Sequence, residues 1–205
     1  MESGVRAAMR QAMGEESYEF FFDRWLHYFF TEEDAKLFKS LGLNCLQLPF
    51  NHRHFDDDRN SCVLKESGFK HLDCVIKIWA DHEIYTILDL HSVPGGQNQD
   101  WHSDNPTKYA AFWDYKDHQD RTVWLWQQIA ERYKVNTWIA GYNPMNEPAD
   151  PSRTQLAPFY ARLEKAVRAI DPNHILYLDG NTYAMEWDGF QEVLPNCVYC
   201  IHDYR

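Results

Sequence analysis

Residues 137–148 read TWIAGYNPMNEP. The stretch begins as a buried strand: Trp138, Ile139 and Ala140 are apolar, and aromatic and β-branched residues suit a pleated sheet. It ends as a stiff polar turn in which Pro144 and Pro148 enclose Asn146 and Glu147. Packing alone gives no reason to finish a buried strand on a carboxylate. The pattern is not local.

Strand-like runs also occupy residues 43–50 (LNCLQLPF), 84–90 (IYTILDL), 174–180 (HILYLDG) and 197–204 (CVYCIHDY). Helix-like segments separate them. Thr31 is placed to cap a helix running to Leu41, with Asp34 at the capping-box position and Gly42 as its stop. Leu72, Val75, Ile76 and Trp79 recur at helical spacing, as do Val123, Trp126, Ile129, Ala130 and Tyr133. A third stripe, from Leu156 through Phe159, Tyr160, Leu163 and Val167 to Ile170, is closed by Asp171-Pro172. Strands alternating with helices predict a parallel α/β fold.

Two layouts fit that class. A doubly wound sheet holds its ligand at one switch point, whereas a (β/α)8 barrel gathers residues from the ends of many strands. Here Asn51, His52, Arg53 and His54 follow the first run, and Asp89 and His91 the second. Asn146 and Glu147 follow the third, Asp179 and Asn181 the fourth, and His202 and Tyr204 close the fifth. No GxGxxG or Walker sequence follows a strand, and Gly95-Gly96, between Pro94 and Gln97, reads as a turn. The expected fold is a (β/α)8 TIM barrel, incomplete in this chain with about five β/α units. Residues 1–205 then form a single partial domain.

Composition narrows the function. A net charge of −11 argues against nucleic acid and against docking on an anionic membrane. Eight tryptophans and a 16% aromatic share suit a packed core and also the flat faces of a sugar cleft. No run of about 18 apolar residues predicts a membrane-spanning helix. The N-terminal MESGVRAAMRQAMGEES lacks the apolar centre of a signal peptide, which points to a cytoplasmic chain. Five cysteines form no evident framework, and Cys197-x-x-Cys200 lacks a second ligand pair, so no metal site is expected. Reduced, buried thiols are expected instead.

Glu147 has two readings on its own. Asn-Glu-Pro can be a loop cap. It can also be a carboxyl held for proton transfer, its acidity weakened by burial or a neighbouring carboxylate and its proton aimed at one atom. Asn146 beside it is suited to a substrate hydroxyl.

The stretches ILDLHSVPGGQNQDWH (87–102), AGYNPMNEP (140–148) and IHDY (201–204) together resemble glycoside hydrolase family 5. The likeness is to its fungal exo-glucanase and β-glucosidase-like members, and it runs from FTEEDAKLFKSLGLNCLQLPFNHRHF to the end of the chain. The resemblance implies about strands two to six of the barrel. It implies a retaining hydrolase of β-glucosides or β-glucans that works without cofactor or metal. Glu147 would be the acid/base at the end of barrel strand four, and Asn146 would bind the hydroxyl next to the anomeric carbon. His91 would line the −1 subsite, while His202 and Tyr204 would orient the nucleophile and contact the sugar. Trp101, His102 and Trp187 fall at cleft positions. Asp89 reads as a supporting carboxylate. Asn51, His52 and His54 read as the rim of the sugar site, with His52 and His54 equally readable as solvated loop residues.

The chain departs from the family in two places. The family nucleophile is a glutamate ending strand seven, and Asp179, Glu186 and Asp203 do not match that position. Gln47 stands where the family usually has arginine. A non-catalytic pseudoenzyme or carbohydrate-binding remnant of the same barrel is therefore the alternative. A metal-dependent barrel hydrolase is a third reading, which the spacing of His91, His102 and His118 does not favour. An open run of strands also leaves two unpaired edges, which predict self-association.

Overall fold

A computed structural model describes residues 1–203. Its sheet contains β1 (Cys45–Asn51), β2 (Tyr85–Ser92), β3 (Ile139–Asn143), β4 (Ile175–Asp179) and β5 (Cys197–Cys200). These strands pair in parallel and lie in chain order, β1-β2-β3-β4-β5. Helices α4 (Phe69–Asp81), α5 (Lys116–Tyr133) and α6 (Leu156–Arg168) form the crossovers from β1 to β4, and α1 (Glu2–Met13), α2 (Glu15–Phe29) and α3 (Glu32–Ser40) precede the sheet. A doubly wound sheet reverses its strand order at a switch point. This one does not, and the architecture is an incomplete (β/α) barrel.

Side-chain alternation divides the sheet into two faces. Leu88 and Leu90 of β2, Tyr142 of β3, and Leu176 and Leu178 of β4 are buried in one cluster with Leu72 and Ile76 of α4, Leu125, Trp126 and Ile129 of α5, and Leu163 and Val167 of α6. The intervening residues line the barrel interior. Register places Gln47 beside Ile87, Asp89 between Pro49 and Asn143, and Asp179 beside Cys200. The interior is only partly covered: Tyr85 and Val198 are 43% and 41% exposed.

Local chemistry sets the element ends. Thr31 begins α3, with its backbone N–H and its hydroxyl both donating to Asp34 Oδ2 at 2.7 Å, and Gly42 beyond the helix takes a left-handed φ of 79°. β5 is shorter than the expected 197–204. It stops at Cys200 because the following residues leave the ladder, and the His202 N–H donates to the Ala184 carbonyl at 3.3 Å. Tyr204 lies outside the described residues. The cysteines are free, but the expectation that they are buried is wrong. Cys45, Cys62 and Cys74 are exposed and Cys197 and Cys200 partly so. The interior position of Cys45 and Cys200 is the reason for two of these, since that face is not closed over.

Close packing between β3 and β4 rests on one glycine. A Cβ on Gly141 would lie 2.1 Å from the Ile175 carbonyl oxygen. Backbone cannot yield as a side-chain tip can, so Gly141→Ala is expected to cost about 3 kcal/mol, the upper end of overpacking. A melting temperature within a degree or two of the parent would contradict this.

The helix α1 is tied to the open end of the sheet by its first residues. Glu2 accepts from Arg6 Nε at 2.6 Å and Asn51 Nδ2 at 3.2 Å and lies 3.1 Å from His54 Nε2; the Ser3 N–H donates to Asp104 Oδ1 at 2.9 Å. Burial opposes ionisation of Glu2, but His54 and Arg6 override it and lower its pKa from 4.5 to about 2. A depressed carboxylate stabilises the docked state above its unfolded pKa and stops doing so as pH falls through the folded one. Docking of α1 is therefore expected to weaken between about pH 4.5 and 2. Glu2→Gln removes that dependence, as followed by proteolysis of α1 against pH.

Candidate active site

Glu147 sits just past the end of β3, on a backbone with φ of 48°, in the left-handed region that non-glycine residues rarely occupy. Long-range partners hold it there. Its N–H donates to Asp179 Oδ2 at 2.9 Å, and its carbonyl accepts from Asn98 Nδ2 at 2.9 Å. The Tyr183 N–H donates to the Pro148 carbonyl at 3.1 Å. Strain of this kind is maintained where surrounding structure over-determines it, and functional sites are where it collects.

The buried carboxyl of Glu147 lies between two imidazoles. Oε1 is 2.8 Å from His202 Nδ1, and Oε2 is 3.0 Å from His102 Nε2. The other ring nitrogen of His202 is 3.5 Å from Asp179 Oδ2. Asp179 is fully buried at the end of β4, where it also accepts from Asn143 Nδ2 at 3.0 Å. Burial raises the Asp179 pKa. One carboxylate thus fixes the backbone, and the neighbour of the side chain, of another.

His91 stands at the end of β2 with Nδ1 2.9 Å from Asp89 Oδ2. Burial works against its cationic form, but the Asp89 carboxylate, with Glu147 and Asp179 more distant, raises its pKa. His102 moves the other way: burial lowers its pKa, against the pull of Glu147. Two histidines whose rings lie 6.1 Å apart are thus driven toward different charge states.

The turn after β2 locks these parts together. Gln97, fully buried, donates from Nε2 to the carbonyls of His91 at 2.8 Å and Asn146 at 2.9 Å and accepts from the Val93 N–H at 3.3 Å. Trp113 Nε1 donates to the Gln97 carbonyl at 2.9 Å, and Trp126 Nε1 to the Pro144 carbonyl at 3.0 Å. Two of the eight tryptophans therefore serve as buried donors that pin the site loops. The positioning roles of Gln97 and Asn98 carry no sequence signal, since amides in a turn normally bond to the turn itself.

The structure brings Glu147, Asn146, His91, His102 and His202 to one end of the sheet. Trp101 is 72% exposed and lines, with His91, His102 and Phe50, a groove of about 690 Å³ that runs along β1 to α2. Trp187 lies instead in an aromatic group, its ring 4.9 Å from Phe190 and 4.8 Å from Tyr199. Of the rim residues, His52 is buried, with Nδ1 3.0 Å from the Ser92 carbonyl oxygen; it is not a solvated loop residue. Asn51 donates to Asp104 Oδ2 at 3.0 Å and His54 is bound to Glu2.

Residues 7–205 match the model of the cellulase family, glycosyl hydrolase family 5. A beta-xylosidase of Phanerodontia chrysosporium is 57% identical over 99% of this chain and 43% of its own length. Endoglucanase C of Acetivibrio thermocellus is 27% identical over 81% of the chain and 47% of its own. Among solved structures, endo-glycoceramidase II from Rhodococcus superposes with a TM-score of 0.67 at 18% identity, over 85% of this chain and 52% of that one. Endoglucanase Cel5A of Thermotoga maritima gives 0.65 at 18%, over 85% and 53%. The chain spans about half the length of the proteins it matches, or less.

Proposed function

The chain belongs to glycosyl hydrolase family 5, and from that premise we propose that it carries the acid/base half of a retaining site for β-linked glucosides or glucans. The observation that carries this reading is the carboxyl of Glu147, buried, aimed by a left-handed backbone and flanked by two imidazoles at the C-terminal end of a barrel strand. Such a group donates a proton to the departing glycosidic oxygen and then takes one from water. Asn146 and His91 contact the sugar at the cleaved bond, and Trp101 offers a face to the groove. Trp187 supports the wall of the site through its aromatic neighbours.

A retaining enzyme needs a second carboxylate about 5–5.5 Å from the first. Asp179 is a poor nucleophile, because its oxygens accept from Asn143 and from the backbone of Glu147. Asp89 is buried and engaged with His91. The nucleophile then belongs to a part of the barrel beyond these five strands. Gln47 on the interior of β1 supplies no positive charge to it.

A β-xyloside is the second reading of the substrate, favoured by the 57% identity to a protein named beta-xylosidase. Glucose and xylose differ by one hydroxymethyl group, so calorimetry with each sugar separates them. The family reading requires binding of at least one, weakened by Asn146→Ala. Binding to neither, by a folded chain, would overturn it. Binding without any hydrolysis, even when the barrel is completed, would favour the carbohydrate-binding remnant.

The open sheet predicts behaviour in solution. The free edges of β1 and β5 and the exposed aromatic side chains Phe20, Tyr28 and Phe29 of α2 are available to a second copy. Self-association is expected by light scattering at micromolar concentration. A monodisperse monomer with one cooperative melt would contradict it.

A further inference from the structure

We infer that Asp89 is a positioning residue that keeps His91 protonated on both ring nitrogens, so that His91 offers its Nε2–H to the sugar. The inference rests on the reading of His91 as a sugar contact and adds how that contact is charged and aimed.

Asp89 and His91 stand two apart on β2, so strand alternation turns both to the barrel interior. Asp89 is 1% exposed, and its Oδ2 lies 2.9 Å from His91 Nδ1. Its other oxygen, Oδ1, is buried and has no hydrogen-bond partner among the described residues. The flanking strands explain why. Pro49, opposite on β1, has no N–H to donate, and Asn143, opposite on β3, gives its Nδ2 to Asp179 Oδ1 at 3.0 Å. Among the described residues, His91 is the side chain that hydrogen-bonds this carboxyl.

The pair can share its protons in three ways. An ionised carboxylate beside a neutral ring leaves a buried charge with one oxygen unpartnered, which is costly. A carboxylic acid beside a bare Nδ1 puts the proton on the weaker base, since imidazole is the more basic by roughly 2.5 pH units. A carboxylate beside an imidazolium cancels the charge and keeps the Nδ1–H donor. In that state the ring can only donate at Nε2. With Nδ1 turned to Asp89, Nε2 is on the far side of the ring, and His91 lines the groove that Trp101 and His102 border. Gln97 Nε2 donates to the His91 carbonyl at 2.8 Å, which fixes the backbone from which the ring projects.

The charges around the ring agree. Burial, the largest influence, opposes the cation; the bond to Asp89 and its field override it, and Glu147 beyond β3 and Asp179 at the end of β4 add to them. His102, 6.1 Å away ring to ring, is itself held toward neutrality by burial. From β1, Gln47, Pro49 and Asn51 bring no charge. A charged donor binds a sugar oxygen more strongly than a neutral one.

The test is long-range 1H–15N correlation of the histidine rings in the 205-residue chain, with His91 assigned by its loss in His91→Gln, beside calorimetry with glucose and xylose. At about pH 6.5, where an unperturbed histidine is half charged, His91 in the parent should be mostly the doubly protonated form. Asp89→Asn removes the charge and keeps the shape. It should bring His91 below half, because burial then meets only the more distant carboxylates. Sugar affinity should weaken roughly fivefold as pH rises through the His91 midpoint, and that inflection should move down with the midpoint in Asp89→Asn. A mostly neutral His91 in the parent at about pH 6.5, or a bare Nδ1, would overturn the inference whatever the variant does. So would a midpoint indifferent to Asp89→Asn, or an affinity that ignores the midpoint. An Asp89 that only packs moves neither. Absence of all sugar binding counts instead against the hydrolase reading, and the ring signals still decide the protonation of His91.

Discussion

Glu147→Gln, made in a barrel completed with the remaining segments of the 57% identical beta-xylosidase, is expected to lower kcat on an unactivated glycoside by roughly 10³-fold. General acid–base catalysis contributes about 10²–10⁴-fold, and the amide can neither give nor take the proton. The loss should depend on the leaving group. An aryl glycoside whose phenol departs without protonation loses little in bond cleavage, so its glycosyl-enzyme step stays fast and the deficit moves to hydrolysis of the intermediate. A uniform loss across leaving groups would mean that Glu147 is not the acid. The substitution keeps the shape of the side chain and leaves the backbone bonds to Asp179 and Asn98 in place. Its effect on stability should be small beside its effect on rate.

The second large effect belongs to Asp179. Asp179→Ala removes the acceptor for the Glu147 N–H and for Asn143 Nδ2, both buried, and also a neighbour of His202. Each orphaned donor costs about 1–3 kcal/mol, and removing one member of a buried charged network about 3–5 kcal/mol. A destabilisation of about 3–5 kcal/mol by urea unfolding is therefore expected, measured in the completed barrel if the shorter chain associates. A change under about 1 kcal/mol would contradict the role given to it. Glu147 should also lose its left-handed conformation, because that φ is held from outside the turn.

The polar residues closing each strand make the barrel and its active end legible in the sequence. The apolar stripes of α4, α5 and α6 mark the crossovers, and Thr31 with Asp34 marks the start of α3. Glu147, Asn146, His91 and His202 stand out as polar groups ending apolar strands. The roles of Asp179, Gln97 and Asn98 do not, because each depends on a partner distant in the chain. Asp179 reaches Glu147 across 32 residues, and Asn98 does so across 49. His102 is legible as a cleft residue, but its contact with Glu147 Oε2 is not. Cys45 and Cys200 mislead because an apolar run suggests burial on both faces, whereas the interior face here is partly open. His52 misleads for the converse reason: a histidine in a polar run hides a ring packed under Ser92.

The most direct measurement is hydrolysis of an aryl β-glucoside and an aryl β-xyloside by the purified 205-residue chain beside the completed barrel, each as the parent and as the Glu147→Gln variant. If these five strands hold the acid half of the site and the nucleophile lies beyond them, only the completed barrel turns over, and the substitution impairs it. Turnover by the shorter chain that depends on Glu147 would contradict that division, because a carboxylate within these residues or from a second copy would then be the nucleophile.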